Sequence, residues 1–272
     1  MNEALYTGAA RYYAAGRLPY PAELPEVLRA GLGLDGRGRL LDVGCGPGTL
    51  TRELAPLFAG AVGVDADPDM IAEARRSPVD GLEWRHLRAE ELPAGLGTFR
   101  VATFAQSFHW MDRPLVARRV RGMLEPGGAW VHVDGITHRG DDGTDPLPHP
   151  EPPHEAIDAL VRRYLGPVRR AGTALLPQGT PAGEAEIMRA AGYTGPERLP
   201  AGGGTVYERS ADQVVAQAFS LSWSAPHLFG ARVGEFERDL RDLLRDASPS
   251  GRFAQRSRET VLLVWRPSEG PL

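Results

Sequence analysis

The stretch "RLLDVGCGPGTLTREL", residues 39–54, decides the fold. A short apolar run leads into glycines at 44, 46 and 48, and a helix-like segment follows. An apolar run bounded by turn residues reads as a buried strand, and strand, bare turn and helix in succession open a parallel α/β sheet. A turn without side chains lets a ligand approach the backbone closely, at the carboxyl end of a strand where open α/β sheets collect ligands. A dinucleotide-binding turn needs G-x-G-x-x-G, its third glycine allowing close helix–strand packing under a pyrophosphate. Here Thr49 stands at that third position, and Pro47 removes one N–H donor. The turn therefore suits a ligand that lies against the backbone without a phosphate to cradle.

Outward from this stretch, strand-like and helix-like segments alternate. "AVGVD" (61–65), "LEWRHLR" (82–88), "RVATFA" (100–105) and "AWVHVD" (129–134) read as further strands, with "PDMIAEARR" and "RPLVARRVRGML" as helices between them. In the latter, Leu115, Val116, Val120, Met123 and Leu124 fall at helical spacing, and "EPGG" (125–128) marks a turn into the fifth strand. The pattern breaks after Asp134 into a Gly-, Pro- and Asp-rich loop, a length of loop that is more often functional than idle. "EAIDALVRRYL", "AGEAEIMRAAGY", "ADQVVAQAFSLSW" and "VGEFERDLRDLLRDA" read as helices, and "TVYERS" (205–210) and "TVLLVWRP" (260–267) as strands. Asp65 ends the second strand, 21 residues after Gly44, where its carboxylate can accept both hydroxyls of a ribose. A ribose without a phosphate cradle describes an adenosine whose 5′ end carries something else.

The 272 residues carry a net charge of −4 and include no lysine, so every basic side chain among them apart from histidine is arginine. A mildly acidic chain with dispersed arginines is a poor nucleic-acid binder, and no nucleic-acid partner is expected. No run approaches the ~18 apolar residues of a membrane span, and the N-terminus lacks the basic-then-apolar order of a signal peptide. With Cys45 as the single cysteine, no internal disulfide can form, and a cytoplasmic location is expected. His132, His138, His149 and His154 match no metal-ligand spacing, so no metal is expected.

The series "LLDVGCGPGTLT", "VGVDADPDMIAEAR", "AEELP", "FRVATFAQSFHWMD" and "EPGGAWV", in this order over residues 36–134, resembles the class I S-adenosylmethionine-dependent methyltransferases. "YAAGRLPYP" (13–21) and "SFHWMD" (107–112) are similar to small-molecule members of the trans-aconitate methyltransferase-like branch, with Leu18 in place of a proline. The resemblance implies a Rossmann-like α/β fold with a seven-stranded, mostly parallel sheet flanked by helices and a substrate cap inserted after strand five. It divides the chain into N-terminal cap helices (1–35), a cofactor-binding core (36–134), a lid (135–195) and C-terminal strands and helices completing the sheet and acceptor pocket (196–272).

The same resemblance implies residue roles. The Gly44–Cys45–Gly46 backbone would lie along the methionyl part of S-adenosylmethionine, with Asp42 reaching its amino group. Asp65, followed by Ala66, would bind the ribose. Met70 would pack on the adenine. Ala89 and Glu90 would read the adenine edge, since Arg88 stands where many relatives carry an aspartate. Ala105 and Gln106 carbonyls would receive the ammonium, and Tyr13 and Arg17 would close over the carboxylate. His109 is the candidate base, because an imidazole titrates near neutrality. Trp110 would be a wall beside the sulfonium. Phe219 and Trp223 could line the acceptor pocket, or equally belong to the core. The expected reaction is methylation of a small, secondary-metabolite acceptor, oxygen slightly ahead of carbon or nitrogen, leaving S-adenosylhomocysteine, by a monomer or homodimer that engages no membrane.

Other readings remain. The same scaffold with S-adenosylmethionine as substrate or spectator could serve a cyclisation or rearrangement. A nucleic-acid methyltransferase is disfavoured by the absence of "[DN]PP[YF]" and of a "PC" nucleophile dipeptide, and by the charge. A nicotinamide oxidoreductase is disfavoured by Thr49.

Overall fold

Leu40 and Leu41 are both fully buried, so the strand that carries them, β1 (Arg39–Val43), must be covered on both faces. In the computed structural model, which describes residues 6–141, 143, 145–168, 170–171, 174–175 and 183–268, β1 lies inside a seven-stranded sheet. The other strands are β2 (Gly60–Asp65), β3 (Leu82–His86), β4 (Phe99–Ala105), β5 (Leu124–Asp134), β6 (Arg170–Ala171), β7 (Ala174–Leu175), β8 (Tyr193–Ala201), β9 (Val206–Ser210), β10 (Arg252–Arg256) and β11 (Thr260–Pro267). The large sheet runs β3-β2-β1-β4-β5-β11-β8. Its first five strands are parallel, and β11 is antiparallel to both β5 and β8. The winding goes outward from β1 to β3, then reverses through β4, which puts the topological switch point between β1 and β4.

The helices are α1 (Ala10–Gly16), α2 (Leu24–Leu32), α3 (Thr49–Leu54), α4 (Pro68–Arg75), α5 (Arg113–Arg121), α6 (His154–Leu165), α7 (Glu184–Ala190), α8 (Ala211–Phe219) and α9 (Val233–Ala247). Alternation along the strands sorts the core into two layers. Leu40, Val131, Val133 and Leu262 meet Leu24 and Leu28 of α2 and Leu50 and Leu54 of α3. Leu41, Phe104 and Trp130 meet Val116 and Val120 of α5 and Met188 of α7. Phe104 and Trp130 stack at 3.8 Å with their planes 6° apart, and Phe108 meets both edge-on.

Four strands have no counterpart in the sequence reading: the two-residue pair β6 and β7, and the longer β8 and β10. β8 contains Pro196 and Pro200, residues that cannot donate to a ladder and that belong on a sheet edge, which is where β8 lies. β10 pairs with β9 in a separate antiparallel ribbon. "EPGG" does not end the fifth strand's lead-in: Phe99 pairs with Leu124 and Val101 with Ala129, so residues 125–128 bulge out opposite Arg100 within β5.

The cap also differs from the expected division. A third apolar cluster joins Ile157, Leu160 and Tyr164 of α6, Val215 and Phe219 of α8, Phe236 and Leu240 of α9, and Phe253 of β10. The cap is therefore assembled from two insertions, one after β5 and one between β8 and β11, with α1 packed on α8. The segment assigned to a lid does not run to 195, because α7 packs against α5 and Tyr193 begins a sheet strand. Of that segment, residues 142, 144, 169, 172–173 and 176–182 lie outside the described residues, as do 1–5 and 269–272. Arg209, 4% exposed, ties the cap together by donating to Gly16 O at 2.9 Å, Gln213 O at 3.1 Å and Gln255 Oε1 at 3.3 Å. Among the described residues, no helix is long and apolar enough to cross a membrane.

Candidate active site

The glycine turn is fastened from below. Gly44 and Cys45 N–H both donate to Val64 O, at 2.8 and 3.1 Å, locking the turn to the end of β2. Gly44 has φ +71°, and a Cβ there would stand 2.5 Å from Cβ of Ser107, whose hydroxyl donates to Val43 O at 2.6 Å. At Gly48, φ is +79° and a Cβ would meet the Trp84 ring at 2.2 Å. Neither position accepts a side chain, so the bare backbone is a steric requirement.

Asp65 takes backbone donors on both oxygens: Gly46 N–H on Oδ2 at 2.8 Å and Asp67 N–H on Oδ1 at 2.9 Å. These bonds fix the carboxylate at the carboxyl end of β2, lining a cleft. Burial pushes its pKa up to about 6. Asp67 caps α4 by accepting from Asp69 and Met70 N–H, at 2.8 and 3.3 Å, on Oδ1. Its Oδ2 is buried with no hydrogen-bond partner among the described residues, and burial raises this carboxyl too.

The cleft is lined by Gly44, Gly46, Asp65, Asp67 and Met70 on one side and by Ala105, Gln106, Ser107 and Trp110 on the other. Tyr6, Tyr13, Arg17 and Tyr20 of the N-terminal segment and Thr137 complete its lining. A narrower recess of about 30 Å³ continues to Asp42, Cys45 and Thr49. The cleft encloses about 70 Å³. Small-molecule sites hold ~300–1,000 Å³, so this enclosed space is small for a nucleoside.

Of the expected site residues, Tyr13, Arg17, Gly44, Gly46, Asp65, Met70, Ala105, Gln106 and Trp110 line this one cleft, and Asp42 and Cys45 line the adjoining recess. Asp42 has a structural duty as well: Thr51 Oγ1 donates to one oxygen at 2.6 Å and Thr103 Oγ1 to the other at 2.9 Å, joining α3 and β4 to β1. Arg17 is largely committed to the cap, donating through Nε and Nη2 to Ser220 Oγ and O, both at 2.9 Å.

The remaining expected site residues sit elsewhere. Ala66 is buried and does not line the cleft, its carbonyl lying 3.0 Å from His86 Nε2. Ala89 is in the core, and Glu90 accepts from Asp112 N–H at 3.0 Å near the start of α5, so neither lines the cleft. Phe219 is fully buried between Tyr12, Phe229 and Phe236, which makes it cap core rather than pocket wall. Trp223 lines a separate cap cleft. His109 faces a recess of about 170 Å³ with His132 and Glu184, separated from the main cleft by Gln106 and Ser107, which line both. In that recess Trp130 Nε1–H donates to His132 Nε2 at 2.8 Å, which leaves the ring proton on Nδ1, 2.8 Å from Glu184 Oε1.

Sequence reasoning missed Tyr6, Tyr20, Asp67, Ser107 and Thr137. Tyr20 and Asp67 sit within motifs already singled out, whereas Tyr6 and Thr137 arrive from distant segments with no local pattern.

Asp42, Asp65 and Asp67 place three carboxyls in or beside one cleft, each raised by burial. Their ionised forms favour a ligand bearing positive charge and disfavour a phosphate. A carboxyl at about 6 when folded and 3.8 in its ordinary state binds its proton more tightly in the folded protein. Its contribution is fully present below pH 3.8 and lost as pH rises through about 6. Asp42→Asn is therefore expected to flatten the fall in melting temperature between pH 4 and pH 7, measured by calorimetric scans of both proteins. An unchanged pH slope would mean that Asp42 ionises at its ordinary value.

Comparison with known proteins agrees with this geometry. The methyltransferase-domain family matches residues 40–128, from β1 through the bulge in β5. An uncharacterized methyltransferase of Schizosaccharomyces pombe is 34% identical over 108 residues, covering 37% of this chain and 41% of that protein. The chain thus spans less than half the length of that relative. A ubiquinone biosynthesis O-methyltransferase of Cereibacter sphaeroides is 32% identical over 176 residues, 57% of this chain and 71% of its own. Among solved structures, the [4+2]-cyclase SpnF has the same fold with a TM-score of 0.52 at 18% identity, covering 98% of this chain and 94% of its own. A bare turn at the switch point, an acid at the end of β2 and an acidic cleft, joined to these relatives, place the chain among the class I S-adenosylmethionine-dependent methyltransferases.

Proposed function

We propose that the protein transfers a methyl group from S-adenosylmethionine to a small-molecule acceptor, with oxygen the favoured acceptor atom. The observation that carries this reading is the cleft at the β1/β4 switch point, where a bare turn and Asp65 meet an acidic, tyrosine-roofed space. Among the described residues, Gly46 has open space where a side chain would begin and Asp67 Oδ2 has no hydrogen-bond partner, which fits a nucleoside carrying donors and a positive charge. The relative named for O-methylation supports the choice of oxygen.

Bound S-adenosylmethionine supplies an electrophilic methyl group on a sulfonium, which a nucleophile displaces in line. The chain's part is to bind, orient and exclude water. Asp65 would accept from the ribose hydroxyls, Met70 would pack on the adenine face and the Gly44–Gly46 backbone would lie along the methionyl group. Ala105 and Gln106 carbonyls would take the ammonium, Tyr13 and Arg17 would cover the carboxylate end, and Trp110 would wall the methyl side. His109 lies behind Gln106 and Ser107, so it withdraws a proton only from an acceptor that reaches its recess. An acceptor that arrives ionised needs no base.

The test is incubation with S-adenosylmethionine carrying a trideuterated methyl group and a metabolite extract of the source organism, followed by mass spectrometry. One metabolite is expected to gain the heavy methyl. Consumption of a metabolite with an unlabelled product would overturn methyl transfer in favour of a rearrangement on the same scaffold.

A further inference from the structure

The cap holds a second cavity that none of the cofactor residues explains. It is a cleft of about 320 Å³ between α6, the segment after β5 and the loop after α8, a volume within the range of small-molecule sites. One wall is aromatic: His138 meets the Trp223 ring edge-on at 5.3 Å. Another is aliphatic, formed by Val161, Leu165 and Val168, and Val168 is 39% exposed at the lip. Arg139 and Arg162 stand in the same lining, and among the described residues neither guanidinium makes a hydrogen bond or ion pair. Asp158, the third charged group of the lining, sits one turn before Arg162 on α6 without pairing with it. The lining thus keeps one positive charge in excess beside a flat apolar wall.

The cleft also adjoins the cofactor site. Thr137 lines the cofactor cleft and its neighbour His138 lines the cap cleft, so one short stretch of chain after β5 borders both. The partition is thin: Arg17, which lines the cofactor cleft, has Nη1 3.5 Å from His138 Nδ1.

We propose that this cap cleft holds the acceptor's body, and that the acceptor is a flat, largely apolar molecule carrying an anionic group. The anion lies against Arg139 and Arg162, whose planar forks match carboxylate, sulfonate or phosphate oxygens. The ring system lies on Trp223, and the end to be methylated points toward Thr137. The anion is a remote anchor, distinct from the reacting atom, and its binding orients that atom. This inference rests on the methyltransferase reading for the word acceptor, and on the cavity alone for the ligand's chemistry.

The probe is 8-anilinonaphthalene-1-sulfonate, a flat aromatic anion, with uncharged N-phenyl-1-naphthylamine as its control. Both are titrated by fluorescence in the presence of saturating S-adenosylhomocysteine, which fills the cofactor cleft. The sulfonate is expected to bind saturably. The Arg139→Ala/Arg162→Ala double variant should weaken it about tenfold, as loss of a charge-assisted contact does, and leave the neutral probe nearly unchanged. Trp223→Ala should weaken both. Equal sulfonate affinity in the double arginine variant would overturn charge recognition. In the labelled-methyl assay with extract, the sulfonate is expected to suppress transfer, and full transfer at saturating probe would overturn the assignment of the cleft to the acceptor. S-adenosylhomocysteine binding, followed separately by calorimetry, distinguishes the two readings: its absence would sink the methyltransferase proposal while leaving the probe's arginine dependence intact.

Discussion

Asp65→Ala is expected to weaken S-adenosylmethionine binding by about 10- to 150-fold, the range of ~1.5–3 kcal/mol for hydrogen bonds to a charged group. The carboxylate is held by two backbone donors, from Gly46 and Asp67, so it meets a ribose without rearranging. Preorganised acceptors lose little entropy on binding, and their removal is felt in full. The raised carboxyl adds a pH signature. With its pKa pushed up to about 6 by burial, Asp65 takes up a proton as pH falls from 7 to 5, and cofactor affinity should fall with it. Asp65→Asn loses the charge and turns an amide NH2 toward one of the two backbone donors, so its affinity is expected to fall as well and its pH profile to become shallower, with Asp42 and Asp67, both raised by burial, supplying the slope that remains. Calorimetric titration at pH 5 and pH 7 reads both effects. Wild-type affinity in the alanine variant would remove Asp65 from the ribose site.

Trp130→Ala carries the largest expected loss of stability, ~3–5 kcal/mol, as truncation of a large core aromatic leaves a cavity that its neighbours fill only in part. Trp130 is fully buried, stacked on Phe104 and edge-on to Phe108 and Tyr193. Its indole N–H is also the donor that holds His132 in the tautomer facing Glu184. Truncation therefore removes the centre of one core layer and leaves a buried ring nitrogen without its donor. Trp130→Phe should recover most of the packing while still lacking that donor. Urea unfolding of the three proteins measures the difference. A loss below ~1.5 kcal/mol for the alanine variant would show that the stack does not anchor the layer.

These two positions differ in how far the sequence reveals them. Asp65 was legible because it ends an apolar run at a fixed distance from the glycine turn, and strand ends at a switch point are where ligands gather. Trp130 was legible as a strand residue, but its stack on Phe104 depends on β4 and β5 pairing in one register. Helical spacing located α5, and short apolar runs bounded by turn residues located β1 to β5, because local patterns suffice when an element buries one face or both. β8 escaped because its prolines oppose the strand reading until a sheet edge is known to be available.

What the sequence by itself determined is the sheet's parallel half, the bare turn and the acid at the end of β2, while the family and its cofactor came from the resemblance carried by the motifs of residues 36–134. The first three are each set by steric or hydrogen-bonding demands within a few residues of chain. Only the tertiary structure decided how the cap is built, because Ile157, Val215, Phe236 and Phe253 belong to segments that no local pattern connects. It likewise put Phe219 in the cap core, turned Glu90 toward Asp112 and set His109 behind Gln106 and Ser107. The direction of a side chain at the end of a strand is fixed by what packs around it, and those neighbours come from distant parts of the chain.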